Sequence, residues 1–248
     1  MDPKPTIVAP LMRCIGVADA ARSILFYRDV LRFEVREQSG TIEAVYGPVR
    51  IQLGRQDYAP NIGEDPRLRG SAILFFQTGD VAAMHAAVRA RGGMPSELEK
   101  VNWIKMQMFE IRDLDGHTLW FGQSYDQPHS LEPSPMMCKA VPELPFDDVA
   151  AAVAYYQDVL GFRISYQQRD LGVMDREEVR VLLIARTERY TGIGSAYVYV
   201  ADADALYAEL RTWGANVQGE PVSQPWGLRE FRVLDLEGNQ ITFGQPFE

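Results

Sequence analysis

The sequence is poor in the residues on which several kinds of site depend. It contains 2 cysteines and 3 histidines among 248 residues. Two cysteines cannot form the disulfide framework of a small secreted protein, and three histidines leave little material for a histidine-based metal centre. No stretch approaches the ~18 consecutive apolar residues that a membrane-spanning helix needs. These scarcities argue against a disulfide scaffold and against a membrane protein.

The chain also lacks an excess of positive charge. Its 25 Lys and Arg stand against 34 Asp and Glu, a formal net charge of −9. Contact with nucleic-acid phosphates needs clustered Lys and Arg, so we expect no nucleic-acid partner. The first residues, Met1–Pro5, carry neither the basic segment nor the apolar run of a secretory signal. We therefore expect a cytoplasmic protein that does not contact the membrane.

What the sequence does contain is an internal duplication. The segment Phe26–Phe33 (FYRDVLRF) is echoed by Tyr155–Phe162 (YYQDVLGF), and the two tyrosines at 27 and 156 are 156 − 27 = 129 residues apart. A second motif, Asp113–Gln123, returns as Asp235–Gln245 at an offset of 235 − 113 = 122. Two matches in the same order at nearly the same offset predict a repeated domain rather than a solenoid unit.

A proline-rich segment lies between the two copies. Residues 127–135 (QPHSLEPSP) contain three prolines and no hydrophobic period, a composition typical of an extended spacer. The sequence therefore predicts one domain over residues 1–126, a linker over 127–135 and a second domain over 136–248.

Each half divides again into strand and helix signals. Aspartates precede apolar helical patterns at four places and predict helix starts: Asp19, with a helix to about Leu31; Asp80, with a helix over Val81–Arg91; Asp148; and Asp202 or Asp204. Strand-like runs surround these helices at 12–17, 44–46, 50–53, 72–77, 106–111, 119–121, 141–146, 179–184, 196–200, 231–234 and 240–243. The order is one strand, a helix and three strands, four times over, which is an α+β pattern.

These motifs resemble the vicinal oxygen chelate superfamily, which includes glyoxalase I, the bleomycin-resistance proteins and the extradiol dioxygenases. The resemblance rests on Asp19 followed by Phe26-Tyr27 and Leu31, and on the Asp-x-Asp/Glu-Gly turn, each present twice. It implies four βαβββ modules in two tandem glyoxalase-like domains, with cup-shaped sheets and an internal pseudo-dimer. The segments 141–145 and 225–231 resemble the bleomycin-resistance branch most.

Enzymes of this superfamily hold a divalent metal with His, Glu or Gln side chains, and the resemblance implies where those ligands would lie. The positions in this sequence are Met12, Gln52, 71–74 and Trp120 in the first half, and Val141, Leu182, 195–197 and Thr242 in the second. Only Gln52 is a recognised donor, and one amide oxygen cannot hold a catalytic metal. We therefore predict no metal and no other cofactor.

Other potential ligands do not change that prediction. His85 lies within a helical pattern and is expected at the surface or in a groove, His117 follows a turn glycine, and His129 falls in the linker. The strand carboxylates Glu43, Glu110 and Glu230 are expected to be solvated or salt-bridged. A metal site built from carboxylates remains an alternative.

Strand alternation predicts which side chains line the cups. Phe109, Ile111, Phe231 and Val233 should face the core, whereas their neighbours should face the ligand space. The candidate ligand-binding residues are Trp120, Gln52, Met12, Met106, Met108, Glu110, Trp103, Trp226, Tyr197, Glu230, Arg232 and Thr242. Trp120 suits stacking, the methionines form an adaptable apolar wall, and the polar residues orient the ligand. For each residue, simple packing in the core is the competing interpretation.

The favoured function is metal-free binding of a flat, partly aromatic small molecule, such as an antibiotic or a metabolite, in a preformed cleft. One alternative is a lyase, isomerase or dioxygenase with an unusual metal site or a carboxylate general base. A third is a catalytically silent regulatory or immunity partner. Both a monomer and a homodimer are compatible with the duplication.

Overall fold

The computed structural model describes residues 13–38, 41–55, 73–102, 104–125, 139–188, 190 and 192–247. The predicted linker 127–135 lies outside the described residues, as do Met12, Trp103 and His129. Cys14 is on the first strand, but its side chain is outside the described part.

The chain repeats one strand, one helix and three strands four times, as the sequence predicts. The first module contains β1 Arg13–Val17, α1 Ala20–Leu25, β2 Glu34–Gln38, β3 Thr41–Tyr46 and β4 Val49–Arg55. The second contains β5 Ile73–Gln77, α2 Val81–Ala90, β6 Glu99–Val101, β7 Met106–Arg112 and β8 Thr118–Ser124. The third contains β9 Lys139–Phe146, α3 Val149–Asp158, β10 Arg163–Gln168, β11 Leu171–Arg176 and β12 Val179–Ala185. The fourth contains β13 Ser195–Tyr199, α4 Ala203–Thr212, β14 Asn216–Ser223, β15 Leu228–Leu234 and β16 Gln240–Pro246.

All four modules share one strand order. The first strand of each lies beside its last, giving β1-β4-β3-β2, β5-β8-β7-β6, β9-β12-β11-β10 and β13-β16-β15-β14. The pairs β5 with β8, β9 with β12 and β13 with β16 are parallel, and the remaining neighbours of these sheets are antiparallel. The helix in each module is the crossover that a parallel pair requires.

The chain forms two compact units, one over Cys14–Val141 and the other containing Pro142–Glu248. Each unit has one hydrophobic core, to which both of its sheets and both of its helices contribute. In the first unit, Ile51 on β4 and Phe121 on β8 belong to the same cluster of buried residues. The two sheets of a unit therefore pack through their helix-bearing faces, and their other faces point away from the shared core.

The predicted helix starts are confirmed. Each capping carboxylate accepts a backbone N–H three residues further on, at distances of 2.8–3.1 Å, from Asp19, Asp80, Asp148 and Asp202. In the last helix the cap is thus Asp202 and not Asp204. Such a bond satisfies a donor that the helix itself leaves free. None of the described helices is long and apolar enough to cross a membrane.

The first helix ends differently from the prediction. The α-helical hydrogen-bond pattern stops at Leu25, and Phe26–Val30 continue as a π-helical turn. The Leu31 N–H then donates to the Phe26 carbonyl oxygen at 3.2 Å. Sequence periodicity could not distinguish this turn, because a single wider turn hardly changes which side chains face the core.

The two duplicated motifs contact each other in the folded chain. The buried Tyr27 hydroxyl donates to Asp113 Oδ2 at 3.0 Å, and the Tyr156 hydroxyl donates to Asp235 Oδ2 at 2.9 Å. The other oxygen of each carboxylate accepts backbone N–H groups of the turn that follows it. This bond ties the helix of one module to the final hairpin of the next, and it explains why the tyrosine and the aspartate recur together.

Candidate ligand-binding surface

The open face of the fourth sheet carries most of the polar candidates. On β15, Phe231 and Val233 belong to the hydrophobic core, so Glu230 and Arg232 lie on the opposite side. On β16, Thr242 alternates in the same way between the core residues Ile241 and Phe243. We refer to this side of β13-β16-β15-β14 as the open face.

Strand register arranges the open face in two rows. One row runs from Tyr197 on β13 through Thr242 and Arg232 to Gln218 on β14. The next runs from Tyr199 through Gly244 and Glu230 to Val222. Cross-strand neighbours lie close enough for their side chains to interact, so each row is a continuous strip of surface.

A hydrogen-bonded cluster joins the two rows. The Tyr197 hydroxyl donates to Glu230 Oε1 at 2.6 Å, and Trp226 Nε1 donates to the same oxygen at 2.9 Å. Tyr197 is buried, whereas the Trp226 indole is 43% exposed. The Tyr197 and Tyr199 rings lie with their centroids 5.1 Å apart. The carboxylate thus fixes two aromatic rings on one surface.

Gly244 makes this arrangement possible. The Tyr197 side chain crosses over β16 to reach Glu230 on β15, and a Cβ at position 244 would lie 1.8 Å from the Tyr197 hydroxyl oxygen. No side chain can occupy that space without displacing the ring. The glycine belongs to the repeated Phe-Gly-Gln motif, but its role in admitting a tyrosine could not be seen in the sequence.

Burial changes the electrostatics of two residues in the cluster. Loss of water around Glu230 raises the pKa of its carboxyl group, against the lowering effect of the bonds from Trp226 and Tyr197 and of the Arg232 charge. The same desolvation lowers the pKa of Arg232, which the Glu230 charge partly offsets. Arg232 Nε is buried and has no hydrogen-bond partner among the described residues. Glu230 is therefore partly exposed, and its printed partners among the described residues are two hydrogen-bond donors, Tyr197 and Trp226.

The second module has an apolar counterpart of the open face. An offset of 197 − 75 = 122 aligns Phe75 with Tyr197, and the same offset aligns Gly122 with Gly244 and Met108 with Glu230. A Cβ at Gly122 would lie 2.7 Å from the Phe75 ring and 2.9 Å from the Met106 methyl carbon. The Phe75 ring again lies over a glycine, and Met108 occupies the position at which the fourth module has its carboxylate.

The predicted residues therefore fall into separate groups. Tyr197, Trp226, Glu230, Arg232 and Thr242 share the open face of the fourth sheet. Met106, Met108, Glu110 and Trp120 share the corresponding face of the second sheet, where Glu110 and Trp120 are cross-strand neighbours.

Gln52 is on β4 opposite Glu43, and its neighbours Ile51 and Leu53 face the core that the first two sheets share. Gln52 and Trp120 thus lie on faces that point away from each other. Sequence reasoning missed Phe75, Tyr199, Gly122 and Gly244.

The histidine and carboxylate expectations have mixed outcomes. The prediction that His85 lies at the surface or in a groove is wrong: it is 8% exposed, its Nε2 is 2.9 Å from the Ser96 carbonyl oxygen, and its ring packs edge-on against Phe109. His117 is fully buried, with Nε2 2.7 Å from the Gly16 carbonyl oxygen. Glu43 forms the expected salt bridge, with Arg50 at 2.8 Å.

A groove of about 840 Å³ lies within the first unit. It is formed by the end of α1 with its π-helical turn, the segment after α2, and β7. Leu25, Met94 and Leu114 on its walls are exposed by 49%, 90% and 50%. Of the candidate residues, Glu110 contributes to this groove.

The residues at the implied metal positions do not fit a metal. Trp120 and Thr242 occupy the strand positions of the last ligand, and Leu182, Val141 and Ser195 occupy others. Indole, leucine and valine side chains donate no lone pair to a cation, the Gln52 amide lies on a face that points away from Trp120, and the Thr242 and Ser195 hydroxyl groups are weak ligands. Across the parts of the chain that the structure describes, no three His, Cys, Asp or Glu side chains come together as a potential metal site.

The paired βαβββ modules define the class of protein. The chain belongs to the Glyoxalase/Bleomycin resistance protein/Dioxygenase superfamily, whose family model matches residues 8–121 and 140–243. It is 25% identical to a bleomycin resistance protein of Geobacillus stearothermophilus over 131 residues, which cover 45% of this chain and 99% of that protein.

Solved structures show the same fold over the whole chain. A glyoxalase I mutant from Zea mays superposes with a TM-score of 0.72 at 13% identity, covering 98% of this chain and 94% of that one. A putative dioxygenase from Bacillus subtilis gives a TM-score of 0.66 at 12% identity, covering 96% and 84%. At these identities the likeness establishes two tandem glyoxalase-like domains, and it carries no information on activity.

Proposed function

We propose that the protein is a metal-free small-molecule binding protein that sequesters a flat, partly aromatic compound on the open face of its fourth sheet. The observation that carries this proposal is the cluster of Tyr197, Trp226 and Glu230. It holds aromatic rings and a polar group in fixed positions on one surface, which is the composition of a small-molecule site. Aromatic rings add stacking energy to the burial of a planar ligand.

Two further observations support binding rather than metal catalysis. The positions of the superfamily's ligands carry residues such as Trp120 and Thr242, whose side chains do not form a metal site. A relative of which this chain covers 99% of the length is a bleomycin resistance protein, and its name suggests protection against a compound rather than conversion of one.

The first test combines metal analysis with ligand titration. We expect chain purified without chelators to contain far less than one equivalent of iron, zinc, nickel or manganese, and to take up none after soaking. Titration with metal-free bleomycin and with planar aromatic compounds, followed by calorimetry, should then show saturable binding. The variant Trp226→Ala should weaken binding by about tenfold, since stacking on one ring contributes about 1 kcal/mol or more. About one bound metal per chain, or no binding of any aromatic compound, would contradict the proposal.

The second candidate is an enzyme that uses Glu230 as a general base. The observation that favours it is the raised pKa of Glu230, which lies on a surface with a second polar group, Arg232. The test is turnover of a glyoxalase-type isomerisation and of an extradiol ring cleavage, each with and without added divalent metal. Glu230→Gln should abolish any turnover that depends on this carboxylate, whereas a rate unchanged in that variant would exclude the role.

A further inference from the structure

Arg232 is a residue of the open face that has a buried donor without a hydrogen-bond partner among the described residues. This donor is the guanidinium Nε. A buried N–H group that makes no hydrogen bond destabilises the fold, and the penalty is larger for a charged group. Of the guanidinium nitrogens only Nε is among the buried atoms without a partner, and the residue is partly exposed, so an acceptor on a ligand would bind the terminal nitrogens and compensate the charge.

Glu230 is the charged neighbour of Arg232, and it does not act as its ion-pair partner. Residues two apart on a strand are separated by roughly 7 Å along the chain, and no ion pair within 4.0 Å joins the two among the described salt bridges. The Glu230 Oε1 atom is already bound by the Tyr197 hydroxyl and the Trp226 indole. These bonds orient the carboxylate toward the aromatic rings, so its attraction to Arg232 acts through space.

The row that contains Arg232 is rich in hydrogen-bond donors. The cross-strand neighbours of Arg232 are Thr242 on β16 and Gln218 on β14. A guanidinium offers five N–H donors and no acceptor, and a hydroxyl can add one more. Gln218 already donates to Asn216 Oδ1 at 2.8 Å, which leaves Arg232 and Thr242 as the pair that faces a ligand.

We propose that the ligand of the open face carries a carboxylate, which the Arg232 guanidinium binds with the Thr242 hydroxyl as a second donor. The inference rests on the proposed function and adds the chemical class of the ligand. A planar carboxylate matches the fork of a guanidinium and can accept two parallel bonds from it. Its aromatic part would then lie over the row that contains Tyr199, Gly244 and Glu230, where Trp226 is exposed. The ligand class is thus an aromatic carboxylic acid.

The experiment compares two probes of the same shape on the full chain. Naphthoate and naphthamide differ in charge while sharing one planar ring system, and calorimetry measures both affinities. We expect naphthoate to bind about tenfold more tightly than naphthamide, because bonds between two charged groups are stronger than bonds to a neutral acceptor. Arg232→Gln should remove that preference, so that naphthoate and naphthamide bind with similar affinity.

Two further variants make the result specific to Arg232. Arg229→Gln removes one positive charge from the same strand, but Arg229 is paired with exposed Asp204 at 2.7 Å, so the preference for naphthoate should persist. Arg232→Lys keeps the charge without the fork and should retain only part of the preference. It also preserves the test if Arg232→Gln fails to fold, as judged by circular dichroism.

The possible outcomes separate this inference from the proposed function. Equal affinities for naphthoate and naphthamide would overturn the carboxylate inference and leave small-molecule binding intact. A preference for naphthoate that survives in Arg232→Gln would overturn the assignment to Arg232. Failure of both probes to bind at millimolar concentration, together with failure of bleomycin, would overturn both proposals.

Discussion

At the scale of single residues, the contact between Tyr197 and Gly244 decides the shape of the open face. We predict that Gly244→Ala destabilises the protein by about 1–3 kcal/mol, the usual cost of forcing an extra carbon into a packed site. The physical reason is the 1.8 Å approach between the added Cβ and the Tyr197 hydroxyl oxygen. Urea denaturation measures the free energy of unfolding.

A double-mutant cycle provides the control for this prediction. In a Tyr197→Ala background the ring is gone, so Gly244→Ala should cost much less than in the original protein. If the cost is the same in both backgrounds, the glycine is required for a reason other than the ring. Gly214→Ala, at a helix end with φ +84° and open space around it, reports the cost of backbone conformation alone.

Removing the Arg232 guanidinium should stabilise the fold, although the same change should weaken the proposed binding. Arg232→Met should raise the free energy of unfolding by about 1 kcal/mol, because methionine fills similar space without a buried, unsatisfied N–H group. Arg176→Met is the contrasting variant. The side chain of Arg176 is 9% exposed and bonds to Glu209 at 3.0 Å, so its loss should destabilise by about 3 kcal/mol. A loss of stability in Arg232→Met would show that Arg232 is satisfied within the fold.

At the scale of secondary-structure elements, the helix starts can be predicted from the sequence because each depends on one local carboxylate. We predict that Asp202→Ala destabilises the protein by about 1 kcal/mol, the usual value for a lost N-cap, as measured by thermal or urea unfolding. Asp204→Ala should have a smaller effect, because Asp204 forms an exposed salt bridge with Arg229. The reverse order would assign the cap to Asp204.

Strands were harder to locate than helices, for a physical reason. Five strands have no counterpart among the predicted runs, namely β2, β6, β10, β11 and β14. Four of them, β2, β6, β10 and β14, end their sheets, and an edge strand such as Arg163–Gln168 is largely exposed, so it lacks an apolar alternation. In β11 the core-facing position 172 is a glycine, where a Cβ would lie 2.5 Å from Val153. That missing side chain weakens the hydrophobic pattern.

The candidate site was predictable only as far as strand alternation reaches. Alternation correctly placed Phe109, Ile111, Phe231 and Val233 in the cores. It could not show that Tyr197 crosses a strand to reach Glu230, because that contact depends on a side-chain direction and on a glycine in another strand. Nor could it show that both sheets of a unit share one core, which separates Gln52 from Trp120. Local patterns determine the face of a residue, whereas packing determines its partners.

At the scale of the whole molecule, the two carboxylates that link the repeated motifs connect stability to pH. Burial raises the pKa of Asp235 from its usual 3.8 to about 6, although bonds from Asn239 and Tyr156 act in the opposite direction. Burial also raises the pKa of Asp113. Folded Asp235 therefore keeps its proton at pH values where the unfolded chain has already released it. The Asp235 carboxyl group makes its full contribution to stability below about pH 4. That contribution is lost as the pH rises through about 6.

We predict that Asp235→Asn, which mimics the protonated acid, reduces this dependence. Each unit of pKa shift corresponds to about 1.4 kcal/mol, so between pH 4 and pH 7 the original protein should lose up to about 3 kcal/mol relative to the variant. Urea unfolding at several pH values measures this difference, and comparing the two proteins cancels the contributions of surface groups such as Asp204, whose pKa is lowered by Arg229. Asp204→Asn is therefore the matched control. The stability of the original protein relative to Asp204→Asn should rise, not fall, as the pH rises, because the pKa of Asp204 is lowered in the folded state. A relative stability of Asp235→Asn that stays constant from pH 4 to pH 7 would mean that Asp235 is ionised in the folded protein throughout, with Tyr156 and Asn239 fully compensating its burial.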